Sequence, residues 1–419
     1  AFLGCEALDI TEIAGADSLY EASGILGESE RNASRLFGSR RTLFSTEGSS
    51  QCIRAMLYLA LTNRPCGARP VVVAARNVHK AFIYAAALLD FEIVWLWPPH
   101  RTSLCACEVT PDALARTLDS LPEPPAAVYL TSPDYLGGQA DIASLADICH
   151  GRDTILAVDN AHGAYLHFLS ASRHPLDLGA DICCDSAHKT LPALTGAAYL
   201  HIAHRAPRGF AENAKGALAL FGSTSPSYLT LASLDLCNAY LADGYAQRLA
   251  QTVRRIDDAR AQLSGAGYAL LPSDPLKLTI DAAACGASGA QLAARLRSKG
   301  IECEYADPDA LVLMLTPENS EADLSRLVQA FGRSDGRTRP RSPLPNGAGE
   351  RVLSVRQALF SAHETIPAMQ SLGRICGAPT VSCPPAIPIA VSGEIITPDA
   401  LALFERYGVS HVDVVAKRP

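Results

Sequence analysis

Lys189 is the residue whose position in the chain most clearly suggests chemistry. It follows the short apolar segment 181–185, with Ser186 and His188 just before it and a proline-containing turn just after it. A lysine near the end of a buried strand costs free energy unless its charge is lost or paired. Its amine can form an imine with a carbonyl cofactor. From this stretch alone, a surface lysine at a strand end is the simpler interpretation.

Asp159 ends a second apolar strand, which is predicted over residues 154–159. A carboxylate in that position is desolvated, and it stays ionised only beside a cation or a strong hydrogen-bond donor. A protonated pyridine nitrogen would serve as that cation. Carboxylates at strand ends are common, so Asp159 taken alone is a weak signal.

Two further strand ends carry groups that suit a phosphorylated ring. Gly48, Ser49 and Ser50 open a predicted helix, where backbone N–H groups, two hydroxyls and the helix dipole favour a phosphate. An ordinary helix cap is the alternative interpretation. His79 follows the predicted strand 70–75 and could stack on a planar ring, although an exposed or hydrogen-bonded histidine is the more common case.

Together these four signals match the requirements of a pyridoxal 5'-phosphate site. The phosphate anchors the cofactor, the aspartate keeps the ring nitrogen protonated so that the ring accepts electrons, and the lysine forms the imine. All four fall at the carboxyl ends of predicted strands, where ligands bind in open α/β sheets. Their combination therefore predicts a pyridoxal-phosphate enzyme.

The elements that must position these residues alternate between strands and helices. Near-continuous apolar runs of this kind indicate parallel strands that are buried on both faces. The predicted fold class is therefore α/β, with a mainly parallel seven-stranded sheet covered by helices. The seven predicted strands are 42–46, 70–75, 91–96, 126–131, 154–159, 180–185 and 197–202.

A chain of 419 residues is long enough for more than one core. One long helix, 240–263, is expected to connect the large domain to a small one, and a Gly-, Pro-, Ser- and Arg-rich stretch reads as a linker. The expected organisation is an N-terminal arm or helix at 1–35, a large cofactor-binding domain at 36–242, a small α/β domain at 243–331, a linker at 332–349 and a C-terminal domain at 350–419.

Composition argues against several classes of function. The formal net charge of -7 argues against a nucleic-acid partner and against an anionic membrane surface. No apolar run reaches the roughly 18 residues of a membrane span. The 13 cysteines show neither a CxxC motif nor the spacing of a zinc site. We therefore predict no metal site and a reduced, cytoplasmic protein.

The motifs around these residues resemble those of the Orn/Lys/Arg decarboxylase family, fold type I pyridoxal-phosphate enzymes, in its short form. The resemblance covers nearly the whole chain. Its most specific parts are Ser186…His188-Lys-Thr-Leu-Pro-Ala193 and Asp159…Ala161-His162-Gly163-Ala164. Supporting parts are Gly48-Ser-Ser50, His79-Lys80, Thr131-Ser-Pro133, Thr224-Ser-Pro-Ser-Tyr-Leu229, Pro384-Pro-Ala-Ile-Pro388 and Gly393-Glu-Ile-Ile-Thr397.

The resemblance implies a role for each matching position. Lys189 would form the imine with pyridoxal 5'-phosphate, Asp159 would pair with the pyridine nitrogen, and His79 would stack on the ring. These three would be the catalytic residues. The other residues expected to bind the cofactor are Gly48, Ser49, Ser50, His162, Ser186, His188, Ser223 and Thr224, of which His162 would lie close to the ring and the rest at the phosphate.

The resemblance also implies a reaction and an assembly. The expected reaction is α-decarboxylation of a basic amino acid to the amine and CO2, as in polyamine metabolism. Enzymes of this family are dimers or larger, with active sites at the subunit interface, so a homodimer or a higher homo-oligomer is expected. Ser223 and Thr224 of one subunit would then reach the phosphate bound in its partner.

Several positions depart from the family pattern. Asn160 stands where a glutamate usually follows the strand-end aspartate, and Asp185 stands where a glutamine or a hydroxyl residue often precedes Ser186. Asp134 and Ala386 replace a usual threonine and glycine. The cofactor-binding positions are intact, whereas these substrate- and interface-side positions are altered. The sequence therefore predicts the cofactor more firmly than the substrate.

A basic substrate needs a carboxylate for its distal cation, and for each candidate surface solvation is the alternative interpretation. The candidates are Glu12, Asp17, Asp134 and Glu394. Other readings of the chain are an aminotransferase, a β-eliminating lyase or a catalytically impaired regulatory paralogue. An aminotransferase usually carries an arginine for the α-carboxylate in its small domain, and no clear matching motif occurs between 268 and 331.

Overall fold

The chain divides into two compact units. A computed structural model describes residues 3–63, 69–334, 336–340, 344–345, 347–379 and 385–417. The first unit comprises Ala1–Trp97, Glu108–Ser132 and Ala140–Ala246, and the second comprises Pro98–Cys107, Pro133–Gln139 and Gln247–Pro419. The predicted division into five segments stays a prediction.

The first unit is built on a seven-stranded sheet with the strand order β1-β7-β6-β5-β4-β2-β3. Only β7 pairs antiparallel with both of its neighbours, and the remaining pairs are parallel. This confirms the predicted α/β class and the mainly parallel sheet. The strands are β1 (Arg41–Ser45), β2 (Val71–Ala75), β3 (Glu92–Leu96), β4 (Ala127–Thr131), β5 (Ile155–Asp159), β6 (Ile182–Asp185) and β7 (Ala198–Ile202).

Helices alternate with these strands, as the sequence predicts. Several begin at a side chain that accepts a backbone N–H of the first turn, as His79, Thr110, Asp141 and Ser227 do. The helices are α1 (Ile25–Leu36), α2 (Gly48–Thr62), α3 (Lys80–Leu89), α4 (Pro111–Asp119), α5 (Ile142–His150), α6 (Ala187–Thr190), α7 (Arg208–Phe221) and α8 (Tyr228–Ala242). The next helix, α9 (Tyr245–Gly265), lies almost entirely in the second unit.

The prediction of one long helix over 240–263 was wrong. The segment belongs to two helices, α8 and α9, which are separated at Asp243 and Gly244. Gly244 has a φ of 66°, a left-handed conformation that glycine adopts without steric cost and that ends helices. A glycine inside an otherwise helical pattern can be tolerated, so the pattern alone did not locate this break.

The second unit contains two smaller sheets. The four-stranded sheet is antiparallel, with the order β10-β11-β9-β8, and the other sheet pairs β12 with β13. The strands are β8 (Leu270–Leu271), β9 (Lys277–Asp281), β10 (Tyr305–Ala306), β11 (Ala310–Met314), β12 (His363–Pro367) and β13 (His411–Val415). The helices are α10 (Gly289–Arg297), α11 (Glu321–Phe331), α12 (Val355–Leu359) and α13 (Pro398–Arg406).

The sequence predicts that the chain has no membrane span and that its cysteines are reduced. Among the described residues, no helix combines the length and the apolarity needed to cross a bilayer. The described cysteines are free thiols, in keeping with the reduced state that the sequence predicts. Cys66 and Cys383 lie outside the described residues, as does Pro384 of the Pro384-Pro-Ala-Ile-Pro388 motif.

Two glycine-to-alanine substitutions should change stability in opposite directions. A Cβ at Gly289, where α10 begins, would overlap the carbonyl oxygen of Ala310, so Gly289→Ala should lower the free energy of unfolding by about 1–3 kcal/mol. Gly216 is exposed within α7, with nothing within 4 Å of a Cβ. Gly216→Ala should raise stability by about 0.5–1 kcal/mol. Urea midpoints of both variants test this, and a stabilised Gly289→Ala variant would contradict it.

Candidate active site

Parallel pairing of β5 with β6 brings Asp159 beside the segment that leads to Lys189. Asp159 pairs with Cys184 in the register of these strands, and the Asn160 N–H donates to the Cys184 carbonyl at 2.9 Å. Lys189 lies four residues after Asp185, where β6 ends, in the single turn of α6. As predicted, Asp159 ends one strand and Lys189 follows the end of the next.

Lys189 is half-buried and contacts His162. Its Nζ lies 3.1 Å from His162 Nε2, and its charge lowers the pKa of both Asp159 and His79. The structure thus brings together four of the residues that the sequence singles out. The roles assigned to them stay predictions.

Asp159 is a buried carboxylate that forms no ion pair with any described residue. It is 3% exposed and accepts hydrogen bonds from the Tyr129 hydroxyl at 3.2 Å and from the Ala161 N–H at 3.2 Å. Burial raises the pKa of Asp159, and the charge of Lys189 and these hydrogen bonds offset only part of the rise. Within the described parts of the chain, no lysine, arginine or histidine nitrogen lies within 4 Å of the carboxylate. The site fits a ligand that brings its own cation.

His79 is a neutral imidazole at the N-terminus of α3. Its Nδ1 accepts the N–H of Ala81 at 3.1 Å, so the neutral ring carries its proton on Nε2. Burial, and then the charges of Lys189, Lys80 and Arg54, lower the pKa of His79 to about 4. An uncharged ring of this kind suits stacking against a heteroaromatic cofactor.

The Gly48–Ser50 turn opens α2 with a glycine in the left-handed region. Gly48 has a φ of 70°, which favours glycine, and its N–H donates to the Gly196 carbonyl at 2.8 Å. Ser49 and Ser50 lie in the first turn of α2. Neither hydroxyl makes a hydrogen bond to the described residues. Both hydroxyls and the free N–H groups of the first turn are therefore available to a phosphate.

Two residues predicted at the phosphate follow β6. Ser186 precedes α6 and makes no capping hydrogen bond with its side chain. His188 Nδ1 lies 2.9 Å from the Ala197 carbonyl, which fixes that nitrogen as a donor. The neutral ring then has a lone pair on Nε2, so a contact from Nε2 to a phosphate oxygen requires a second proton. Burial lowers the pKa of His188, and the charge of Lys189 lowers it further. The hydrogen bond to the Ala197 carbonyl raises the pKa but does not reverse the shift.

Ser223 and Thr224 lie in the exposed connection between α7 and α8. The Ser223 N–H donates to the Glu47 carboxylate at 3.3 Å, directly before the Gly48–Ser50 turn of the same chain. Their predicted contact with a phosphate in a partner subunit stays a prediction.

Two of the four candidate substrate carboxylates belong to the first unit. Asp17 accepts N–H groups around the start of α1, including those of Gly24 and Leu26 at 2.8 and 2.9 Å. Burial raises the pKa of Asp17, but these hydrogen bonds outweigh it and the net shift is downward. Glu12 is exposed and accepts a hydrogen bond from its neighbour Thr11. A substrate contact by Asp17 would compete with its capping role.

The other two candidates belong to the second unit and are buried. Asp134 Oδ1 accepts the N–H groups of Leu136 and Gly138 at 2.9 and 2.8 Å. Burial raises the pKa of Asp134 to about 6, although both hydrogen bonds and the charge of Lys277 lower it. Glu394 accepts the Val391 N–H at 3.0 Å. Both carboxylates already accept hydrogen bonds from backbone N–H groups of nearby residues. Their assignment as substrate-binding residues stays a prediction.

Sequence reasoning missed two residues near the site. Tyr129, on β4, donates its hydroxyl to Asp159; the signal available was a tyrosine on the strand next to β5 in the sheet. Arg54 lies one helical turn after Ser50 on α2, and its charge acts on His79. The spacing of four residues puts Arg54 on the same helix face as Ser50, and this signal was present in the sequence.

Comparison with known proteins identifies relatives of this chain. The Orn/Lys/Arg decarboxylase major domain, as a family model, matches residues 2–271. An arginine decarboxylase from Halalkalibacterium halodurans is 29% identical over 427 residues, covering 96% of this chain and 85% of that enzyme. The constitutive lysine decarboxylase of E. coli aligns with a TM-score of 0.79 and 19% identity, covering 99% of this chain and 77% of that one. An SPT structure with PLP aligns with a TM-score of 0.56 and 16% identity, covering 73% of this chain and 75% of that one.

The fold defines the class of protein: an α/β protein with the architecture of fold type I pyridoxal-phosphate enzymes. More specifically, the chain belongs to the Orn/Lys/Arg decarboxylase family, because the family match covers residues 2–271 of its 419 residues. This confirms the resemblance that the motifs indicate and the decarboxylase class that it implies.

Protonation of His79 should destabilise the protein. The pKa of His79 is lowered to about 4 by burial and neighbouring cations, whereas an unfolded histidine titrates near about 6.5. Between these pH values the unfolded chain binds more protons than the folded chain. The contribution of His79 to the free energy of unfolding is therefore complete above about pH 6.5 and falls as the pH drops towards about 4.

Two measurements test this prediction. Histidine NMR of the protein without cofactor should show one resonance with a midpoint near pH 4, and the resonance should be missing in His79→Gln. Urea unfolding of His79→Gln should lose less stability between pH 7 and 4 than the wild type, since glutamine does not titrate. A His79 midpoint near its ordinary value would contradict the prediction.

Proposed function

We propose that this chain is a pyridoxal 5'-phosphate-dependent decarboxylase that converts arginine, lysine or ornithine to the corresponding amine and CO2. Family membership supports the reaction class. The name of the Halalkalibacterium halodurans relative makes arginine the first substrate to test. The observation that carries the cofactor assignment is the buried carboxylate of Asp159, which faces no protein cation within ion-pair distance in the described structure.

Asp159 is the residue that sets the charge of the cofactor ring in this proposal. When bound, pyridoxal phosphate supplies a protonated ring that accepts the electron pair left by the departing carboxylate. Asp159 would hold the proton on the ring nitrogen, and Tyr129 and Ala161 orient its carboxylate. In a dry site this ion pair is stronger than in water.

In this proposal, His162 controls the protonation of the Lys189 amine. Lys189 Nζ must lose a proton before it can bond to a carbonyl carbon. His162 Nε2 lies 3.1 Å away, within the distance at which a proton passes directly between two nitrogens. Neutral His79 would stack on the cofactor ring and would add no second positive charge beside it.

The phosphate is held by the Gly48–Ser50 turn, by Ser186 and by His188 in this proposal. The available hydroxyls of Ser49 and Ser50 and the positive end of α2 supply hydrogen bonds and a favourable dipole. A histidine contact needs His188 to be protonated, and the phosphate dianion would favour that form.

We further propose a homodimer or a higher homo-oligomer in the cytoplasm. Ser223 and Thr224 are exposed in the single chain, which leaves them available to a partner subunit. Free cysteines at the described positions suit a reducing compartment.

Cofactor loading and product analysis test the proposal. Purified protein with pyridoxal phosphate should show the visible absorbance of a lysine-bound cofactor, and arginine, lysine or ornithine should yield CO2 and the matching amine. Lys189→Ala should abolish both signals, because no other group replaces its amine. Absent visible absorbance would contradict the cofactor. Cofactor binding with amino-group transfer, or with no turnover of any basic amino acid, would contradict the decarboxylase.

Asp159→Asn should separate the charge of Asp159 from its shape. The amide keeps the size of the side chain but cannot pair with a ring cation, so we expect cofactor affinity to fall at least about tenfold and turnover about a hundredfold or more. Asp119→Asn, at an exposed residue paired with Arg152, is the control and should leave both unchanged. Wild-type turnover in Asp159→Asn would contradict the assigned role.

A further inference from the structure

A row of buried, hydrogen-bonded side chains crosses four adjacent strands of the large sheet. We name Thr42, His201, Asp185 and Asn160 the Asp185 row. They lie on β1, β7 and β6 and at the end of β5, which is the strand order. Thr42 Oγ1 lies 2.8 Å from His201 Nδ1, His201 Nε2 lies 3.0 Å from Asp185 Oδ2, and Asn160 Nδ2 lies 2.6 Å from Asp185 Oδ1. None of the four is more than 1% exposed.

A second histidine fixes the carboxylate of Asp185 from the connection before β6. His174 Nε2 lies 3.1 Å from Asp185 Oδ2, and His174 Nδ1 accepts the Leu176 N–H at 3.3 Å. The neutral His174 ring therefore carries its proton on Nε2 and donates it to Asp185. A metal-ligating histidine instead donates from its other nitrogen. The spacing of His174, Asp185 and His201 would permit a metal ion, but the hydrogen bonds account for the cluster without one.

Donor directions along the row are set by the charge of Asp185. Burial raises the pKa of Asp185, but His174 and His201, through their charge when protonated and through their hydrogen bonds to the carboxylate, outweigh it, and the pKa lies well below its usual value. The ionised carboxylate only accepts hydrogen bonds, so the Asn160 amide must present its NH2 group. The Asn160 side chain also lies where a Cβ on Gly163 would be, which confines it from the other side.

The row connects the strands that deliver three parts of the candidate site. β1 leads into the Gly48–Ser50 turn, β5 ends at Asp159, and β6 leads to Lys189. The backbone pairing of β5 with β6 stops at the Asn160 N–H. The bond between the Asn160 and Asp185 side chains is then the next connection between the two diverging segments.

We propose that Asn160 and Asp185 are positioning residues that hold Asp159 and Lys189 at the separation that cofactor binding requires. This inference rests on the proposed function. The amide of Asn160 and the carboxylate of Asp185 follow or end two neighbouring strands, and they are hydrogen-bond partners of each other.

A purely structural role for Asp185 can be separated from a positioning role by a matched control. Asp181 is also buried, at 3% exposed, and also accepts a hydrogen bond from a histidine, His150, at 3.0 Å. It lies just before the opposite end of β6 and also accepts the Leu156 N–H at 2.8 Å. Asp181 also pairs with Arg205, at 3.4 Å. Asp181→Asn therefore makes the same substitution as Asp185→Asn at another buried, paired carboxylate, away from Asp159 and Lys189.

The experiment measures the melting temperature without cofactor and the Kd for pyridoxal phosphate in each variant. Both Asp185→Asn and Asp181→Asn should lower the melting temperature. Only Asp185→Asn should raise the Kd, by about tenfold or more, and shift the visible absorbance of the bound cofactor. The double variant Asn160→Asp with Asp185→Asn restores a donor facing an acceptor, and its Kd should return to within about threefold of wild type.

An unchanged Kd and absorbance in Asp185→Asn would overturn the inference. If Asp185→Asn does not fold, the Asn160→Ala variant is the deciding test. This substitution removes the hydrogen bond between Asn160 and Asp185 and leaves the contacts of Asp185 with His174 and His201 intact. A Kd raised about fivefold in that variant supports the inference, and an unchanged Kd overturns it. Failure of the wild type to bind pyridoxal phosphate is a separate result, and it would overturn the proposed function itself.

Discussion

The carboxylate of Asp159 is buried at the end of β5 with hydrogen-bond donors around it but, among the described residues, no cation within ion-pair distance. A buried carboxylate is costly unless its charge is compensated. Lys189 acts on it only from a distance, through its charge. The rest of the first unit can be understood as the scaffold that keeps this group dry and keeps an amine close to it.

Sheet topology explains why these two residues meet. The carboxyl ends of parallel neighbours lie at the same edge of a sheet, and β5 and β6 are parallel neighbours in register at Asp159 and Cys184. The Gly48–Ser50 turn reaches that edge because β1 runs antiparallel to β7, which runs antiparallel to β6. Three separate parts of the chain thus converge without any one of them carrying a complete binding motif.

Much of this arrangement was predictable from the sequence. The seven strands are apolar runs of ordinary length, and the chemistry-bearing residues follow them directly, so local patterns were enough to place Lys189 and Asp159. The Asp185 row was not predictable in this way. Each of its members is an ordinary residue in its own strand, and only the strand order, with β7 between β1 and β6, makes Thr42, His201 and Asp185 neighbours.

The carboxylates named for the substrate show a second limit of sequence reasoning. Asp17 lies eight residues before α1 begins, yet it accepts N–H groups of the first turn, because the chain folds back on itself with a φ of 67° at Asp17. Asp134 holds its own loop through Leu136 and Gly138. Both residues were predicted to bind substrate because they are acidic and lie near family motifs. The hydrogen-bond partners of a carboxylate, however, depend on the tertiary path of the backbone.

The most direct test of the account is to locate the covalent attachment of the cofactor. The protein is incubated with pyridoxal phosphate, reduced with borohydride to make the lysine bond permanent, digested and mapped by mass spectrometry. We predict a single phosphopyridoxyl group on Lys189. Modification of another lysine in preference to Lys189, or no stoichiometric modification at all, would contradict it.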